Sequence, residues 1–161
     1  MSSLSSSESG KGSVVPGQVC VDASVALQWL LYDSLTGEAR LLRRHCVEAK
    51  VPMIAPPLFR PEVTSTIRRW LLEGKVTEPY ARQAMRMSVR LPVLISDAGD
   101  ALQLRAFDIA TTLKRPRAYD SQYLALAEFN QCELWTADKR LVNAARRKFP
   151  WVRWLGDYRS G

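Results

Sequence analysis

The chain has 161 residues, 47% of them hydrophobic, and 23 Lys and Arg stand against 16 Asp and Glu for a net charge of +7. That length suits one domain with a sizeable core, and the apolar content excludes a disordered chain. No apolar run approaches the roughly 18–20 residues of a membrane-spanning helix, and the positive charge points to a polyanionic partner such as nucleic acid, with plain solubility as the bland alternative.

Residues 1–17 are rich in Ser and Gly and lack the apolar core of a secretory signal and the arginines of a transit peptide. They read as a flexible tail ahead of a folded domain at 18–158. Cys20, Cys46 and Cys132 are odd in number, never spaced as CxxC and set among apolar neighbours. They read as buried free thiols of a cytoplasmic protein.

From Gln18 the pattern alternates. "VCVDAS" is a short strand ending in Asp22. "GEARLLRRHCVEAK" puts Ala39, Leu42, Cys46 and Ala49 at helical spacing. "VPMIAPP" is a second strand, stopped by Pro56 and Pro57. A helix begins at Pro61, turns Val63, Ile67 and Trp70 inward, and ends at Gly74. "TEPYARQAMRMSVRL" is a helix with Tyr80, Ala84, Met87 and Leu91 on its inner face. "PVLIS" is a third strand, and the helix after it carries Leu102, Ala106, Ile109 and Leu113 and stops before Pro116. "YDSQYLALAE" starts another helix, "CELWTAD" is a fourth strand, "KRLVNAARRKF" is a helix facing inward with Val142, Ala145 and Phe149, and "WVRWL" is a last short strand. Strands alternating with helices give a three-layer α/β/α fold around a parallel sheet of four to five strands. Such folds collect their chemistry at the carboxyl ends of the strands.

Four acids fall at that edge. Asp22 closes the first strand, Glu62 is the second residue of its helix, Asp120 opens its helix, and Asp138 follows the fourth strand. Each one alone is explained by capping and the helix dipole. Together they repel one another unless protons or cations intervene, and hard Mg²⁺ or Mn²⁺ suits carboxylate oxygen best. A metal-activated water cleaving phosphodiesters would join this acidic edge to the basic charge of the chain. Lys114, Arg115 and Arg117, just before Asp120, read as contacts to an RNA backbone, or else as solvated charges.

Nothing competes with that chemistry. His45 is the only histidine, and no glycine-rich phosphate loop is present, so nucleotide cofactors are not expected. The five tryptophans read as core or interface, with base stacking the lesser alternative.

"VCVDAS", "PPLFRPEVTSTIRR", "YDSQYLALAE" and "LWTADKRL" resemble, in order and spacing, the four motifs of PIN-domain ribonucleases, above all the VapC-type toxins of bacterial toxin–antitoxin pairs. The resemblance covers roughly residues 18–156. It implies a PIN-like fold and an Mg²⁺- or Mn²⁺-dependent endoribonuclease whose metal site is Asp22, Glu62, Asp120 and Asp138. Thr136, the polar residue of the "TAD" motif, would steady the water or a neighbouring carboxylate, and Ser24 is similarly placed. The resemblance also implies RNA as substrate, a cognate antitoxin and a homodimer. The family often has an amide in the turn after its Glu, where "EVTSTIRR" offers Thr64 and Ser65. Two rival readings keep the same fold: a non-catalytic nucleic-acid-binding or scaffold module whose acids are caps, and a metal-dependent DNA nuclease or phosphatase.

Overall fold

The computed structural model describes residues 17–159, so the expected tail lies, apart from Gly17, outside the described residues. In chain order the elements are β1 (Val19–Val21), α1 (Ala23–Leu30), α2 (Thr36–Glu48), β2 (Met53–Ala55), α3 (Phe59–Leu72) and α4 (Glu78–Ser88). There follow β3 (Val93–Ile95), α5 (Gly99–Thr112), α6 (Tyr119–Phe129), β4 (Glu133–Thr136), α7 (Lys139–Ala145) and β5 (Val152–Trp154). A single turn of 3₁₀-helix, Leu155–Asp157, ends the domain.

The strands form one parallel sheet in the order β3-β2-β1-β4-β5. Its middle strand is apolar at every position: Val19, Cys20 and Val21 are wholly buried, as a strand covered by helices on both faces must be. The edges relax that rule, and Leu94 and Ile95 of β3 are exposed. The chain travels from β1 to β2 and β3, then returns to the other side of β1 for β4 and β5. Strand order therefore reverses between β1 and β4, the place where parallel sheets open a crevice at their carboxyl ends. The register there sets Val21 beside Trp135, so the next residues of each strand, Asp22 and Thr136, meet at the mouth of that crevice.

Several sequence expectations change. α1 was not foreseen as a helix; "VALQWLL" is short, but Asp22 caps it and its Val25, Ala26 and Trp29 are buried. α3 begins at Phe59, two residues before Pro61, so Glu62 is its fourth residue rather than its second. On α4 the buried residues are Ala81, Ala84 and Ser88, while Tyr80 and Met87 face outward. The inner face of that helix is built of small residues, which let it lie close to α3, and the large ones are turned to the surface.

Four helices end alike. After α2, α3, α5 and α6 the chain passes through a left-handed residue: Lys50 (φ 55°), Gly74 (φ 71°), Lys114 (φ 53°) and Gln131 (φ 49°). In each case the left-handed residue donates its N–H to the carbonyl three back, and the next residue to the carbonyl five back, as with Lys114 to Thr111 and Arg115 to Ala110. This is the Schellman closure, which satisfies the last carbonyls of a helix. All three cysteines are free and buried. Among the described residues no helix is long and apolar enough to cross a membrane.

Candidate active site

Asp22 is the N-cap of α1 and only 6% exposed. Its Oδ1 accepts from the Ser24 N–H at 2.9 Å and the Val25 N–H at 3.4 Å, and also takes a short hydrogen bond from the Ser24 hydroxyl. Its Oδ2 accepts from Thr136 Oγ1 at 2.5 Å. The two hydroxyls then tie β1 to β4: Ser24 Oγ accepts from the Ala137 N–H at 2.9 Å, and Thr136 Oγ1 accepts from the Asp138 N–H at 3.0 Å. Thr136 thus links Asp22 at the end of β1 to the end of β4.

Glu62 is held from another side. The buried Tyr123 donates its hydroxyl to Glu62 Oε1 at 2.9 Å. Tyr123 stands three residues after Asp120, one turn along the same face of α6. It was not singled out from the sequence, although that spacing was a usable signal. Asp120 is partly exposed, and Arg115 reaches it with Nη2 to Oδ2 at 3.1 Å. The Schellman closure of α5 aims Arg115 at that carboxylate, while Lys114 and Arg117 remain exposed.

Burial pushes the Asp22 carboxyl up to about 6 against the pull of its hydroxyl donors, and Asp120 adds to the rise. Burial likewise pushes Glu62 up to about 7, with the Tyr123 hydrogen bond opposing and the charges of Asp22 and Asp120 adding. The Tyr123 phenol, buried beside Glu62, is driven well above the usual phenol range. Asp22 thus feels the charge of Asp120, and Glu62 feels the charges of both, across the crevice.

Asp138 is placed differently. Its Oδ1 caps α7, accepting from the Arg140 N–H at 2.9 Å and the Leu141 N–H at 3.3 Å, and it joins Asp22 only through Thr136. Among the described residues no three His, Cys, Asp or Glu side chains converge closely enough to form a ready-made ion cage. Capping thus accounts for part of the role of Asp22 and for the placement of Asp138. It does not account for Glu62 or Asp120, neither of which caps its helix. Carboxylates whose ionised forms are penalised by burial and by like charges must be neutralised by protons or by a cation. Oxygen is the only donor element here, so the donor set fits a hard divalent ion.

No protein-family model matches the chain. It is 33% identical over 132 residues to a VapC ribonuclease of Mycobacterium bovis and, at the same identity, to ribonuclease VapC9 of Mycobacterium tuberculosis. Each match spans 82% of this chain and 94% of the relative. Among solved structures, a chain of a toxin–antitoxin complex from Klebsiella pneumoniae superposes with a TM-score of 0.58 at 18% identity, covering 84% of this chain and 96% of the other. VapC20 of Mycobacterium tuberculosis, described as a toxin that cleaves the sarcin–ricin loop, superposes with a TM-score of 0.58 at 15% identity, over 80% and 95%. These two likenesses show the shared fold.

Proposed function

Since the chain belongs to the VapC ribonuclease family of PIN-domain toxins, we propose that it is a metal-dependent endoribonuclease acting as the toxin of a toxin–antitoxin pair. The observation that carries this is the Asp22 corner. A buried carboxylate at the sheet's switch point is fixed by Ser24 and Thr136, and Glu62 and Asp120 lie within electrostatic range.

Asp22, Glu62 and Asp120 would hold Mg²⁺ or Mn²⁺, with Asp138 beside them. When bound, such an ion would lower the pKa of water and stabilise negative charge on the phosphoryl and leaving oxygens. The residues of the chain do the rest. Ser24 and Thr136 keep Asp22 from rotating, and Tyr123 orients Glu62. Arg115 balances Asp120 and stands with Lys114 and Arg117 where flanking phosphates of RNA would pass. With no placed histidine, attack by water and not by the ribose 2′-hydroxyl is favoured, leaving a 5′-phosphate and a 3′-hydroxyl. The partners that go with this role are an antitoxin, whose basic group would suit the acidic crevice, and a second copy of the chain in a homodimer.

The test is cleavage of single-stranded RNA with Mg²⁺ or Mn²⁺, against duplex DNA and against excess EDTA, with the product ends mapped. Cleavage of RNA alone, abolished by EDTA and leaving 5′-phosphates, is expected. A 2′,3′-cyclic phosphate, or cleavage that survives EDTA, would refute it.

A further inference from the structure

At the opposite ends of α1 and α3 from the carboxylates, two exposed tyrosines stand beside Trp70, which packs partly against the core. Tyr32 is 78% exposed and Tyr80 is 40% exposed. With the partly buried Trp70 they line a hollow of about 320 Å³, completed by Lys75, Val76 and Thr77. Two of the rings carry a cation over one face: the Arg40 guanidinium stands 5.6 Å from the centre of Tyr32, and the Lys75 ammonium 5.5 Å from that of Trp70. Lys75 also meets Glu73 at 2.7 Å, but that pair is exposed and contributes little.

The position of this hollow follows from the topology. α1 starts beside Asp22 and α3 carries Glu62 in its first turn. Tyr32 lies just past the end of α1, and Trp70 lies near the end of α3. At 1.5 Å per residue, Glu62 to Trp70 is about 12 Å along the helix. A few nucleotides of extended strand cover that distance.

We propose that this hollow is a second binding site for the unpaired RNA strand that the carboxylates cut, with bases stacking on Tyr32, Trp70 and Tyr80 and with Lys75 and Arg40 meeting the phosphates. The proposal rests on the RNA reading above and adds where the substrate is gripped. Ring faces accept any base, and interleaved cations match the backbone between bases. An apolar protein surface laid here would instead have to strip water from Arg40, which has no carboxylate partner among the described residues, and from the Lys75–Glu73 pair. The site selects single strands, because a base held in a duplex has no free face to offer.

The experiment is fluorescence anisotropy with a labelled oligouridylate long enough to span both regions, in EDTA so that no cleavage intervenes, beside an abasic strand of equal length. Tyr32→Ala and Tyr80→Ala remove surface rings and leave the core alone, and thermal melts confirm their folding. Wild type is expected to bind the oligouridylate more tightly than the abasic strand, with quenching of tryptophan emission. Each variant is expected to lose about tenfold in affinity for the oligouridylate and little for the abasic strand. Unchanged affinity in both variants, or equal losses on both strands, would overturn the site. So would variants that only shift the protein from dimer to monomer in sedimentation with RNA affinity intact, which would make the hollow a contact between copies. A wild type that binds the strand through these rings but never cuts it on addition of Mn²⁺ would sink the ribonuclease reading and uphold this site.

Discussion

Asp22 feels the charge of Asp120, yet the two are held by opposite means. Asp22 is buried and surrounded by neutral donors, two hydroxyls and two backbone N–H groups. Asp120 is about a third exposed and faces a guanidinium. Neutral donors fix the direction of a carboxylate without cancelling its charge, and a guanidinium cancels charge without locking the group into the fold. Asp22 therefore belongs to the architecture and the site at once, since it caps α1 and clamps β1 to β4. Asp120 belongs to the site alone.

The largest effect should not separate them. If the proposed ion is held there, Asp22→Ala and Asp120→Ala are each expected to lower RNA cleavage by orders of magnitude, because each would remove a ligand from an ion whose charge stabilisation is worth several kcal/mol. Stability should separate them. Asp22→Ala strips the cap of α1 and orphans two hydroxyls, costing about 1–2 kcal/mol. Asp120→Ala breaks a partly exposed pair and should stay within about 0.5 kcal/mol. Urea melts below pH 6, where the Asp22 carboxyl carries little charge, give the clean comparison. Equal losses of stability would erase the distinction drawn between the two corners.

A smaller effect concerns pH. Asp22 rises from 3.8 to about 6, and Glu62 from 4.5 to about 7, both through burial first. A raised folded-state pKa favours the folded protein at low pH, and that contribution is lost as pH climbs through the folded values. Without added metal, stability should thus fall by roughly 1–3 kcal/mol between pH 4.5 and 7.5 on account of these groups. Asp22→Asn should remove the Asp22 share of this slope and leave most of the Glu62 share, which burial causes. Asp120→Asn should soften it only slightly, because burial outranks the Asp120 charge as the cause. Mn²⁺ should raise the melting temperature at pH 7.5 and leave it alone at pH 5, where protons already occupy the site. A metal-free protein whose stability is flat over that range would show that neither acid is strained.

How much of this the sequence disclosed depends on which signals it carries. All five strands were legible, because apolar runs bounded by Pro and Asp mark them, and the acids at their ends followed. Their exact roles were not. That Asp120 faces Arg115 depends on how α5 ends, and three of the four Schellman closures use Lys or Gln where the usual glycine would have announced the turn. Of the four left-handed residues only Gly74 was visible as a stop, while the end of α5 was announced by Pro116 instead. The inner face of α4 was misread because Tyr80 and Met87 are apolar in composition and exposed in place, while Ala81 and Ser88 are small enough for close packing. The spacing from Asp120 marks Tyr123 as a residue of the site's face, but its pairing with Glu62 joins residues 61 apart in sequence and depends on where the sheet sets α6 relative to α3.

The smallest expected effect tests whether the Asp120 corner is set by backbone geometry. Lys114 sits at φ 53°, a conformation that costs an L-residue roughly 1–2 kcal/mol. Glycine removes that cost but gives back part of it as freedom in the unfolded chain, so Lys114→Gly should stabilise the protein by only about 0.5 kcal/mol. Lys114→Val puts a β-branched side chain into the same left-handed turn and should disrupt it. The N–H bonds of residues 114 and 115 to α5 would open, and Arg115 would lose its fixed approach to Asp120. If the turn is what delivers Arg115, then Arg115→Ala should cost measurably less in the Lys114→Val background than in wild type. A double-mutant cycle by chemical melts reads that difference directly, and additivity within about 0.3 kcal/mol would show that Arg115 finds Asp120 without the turn.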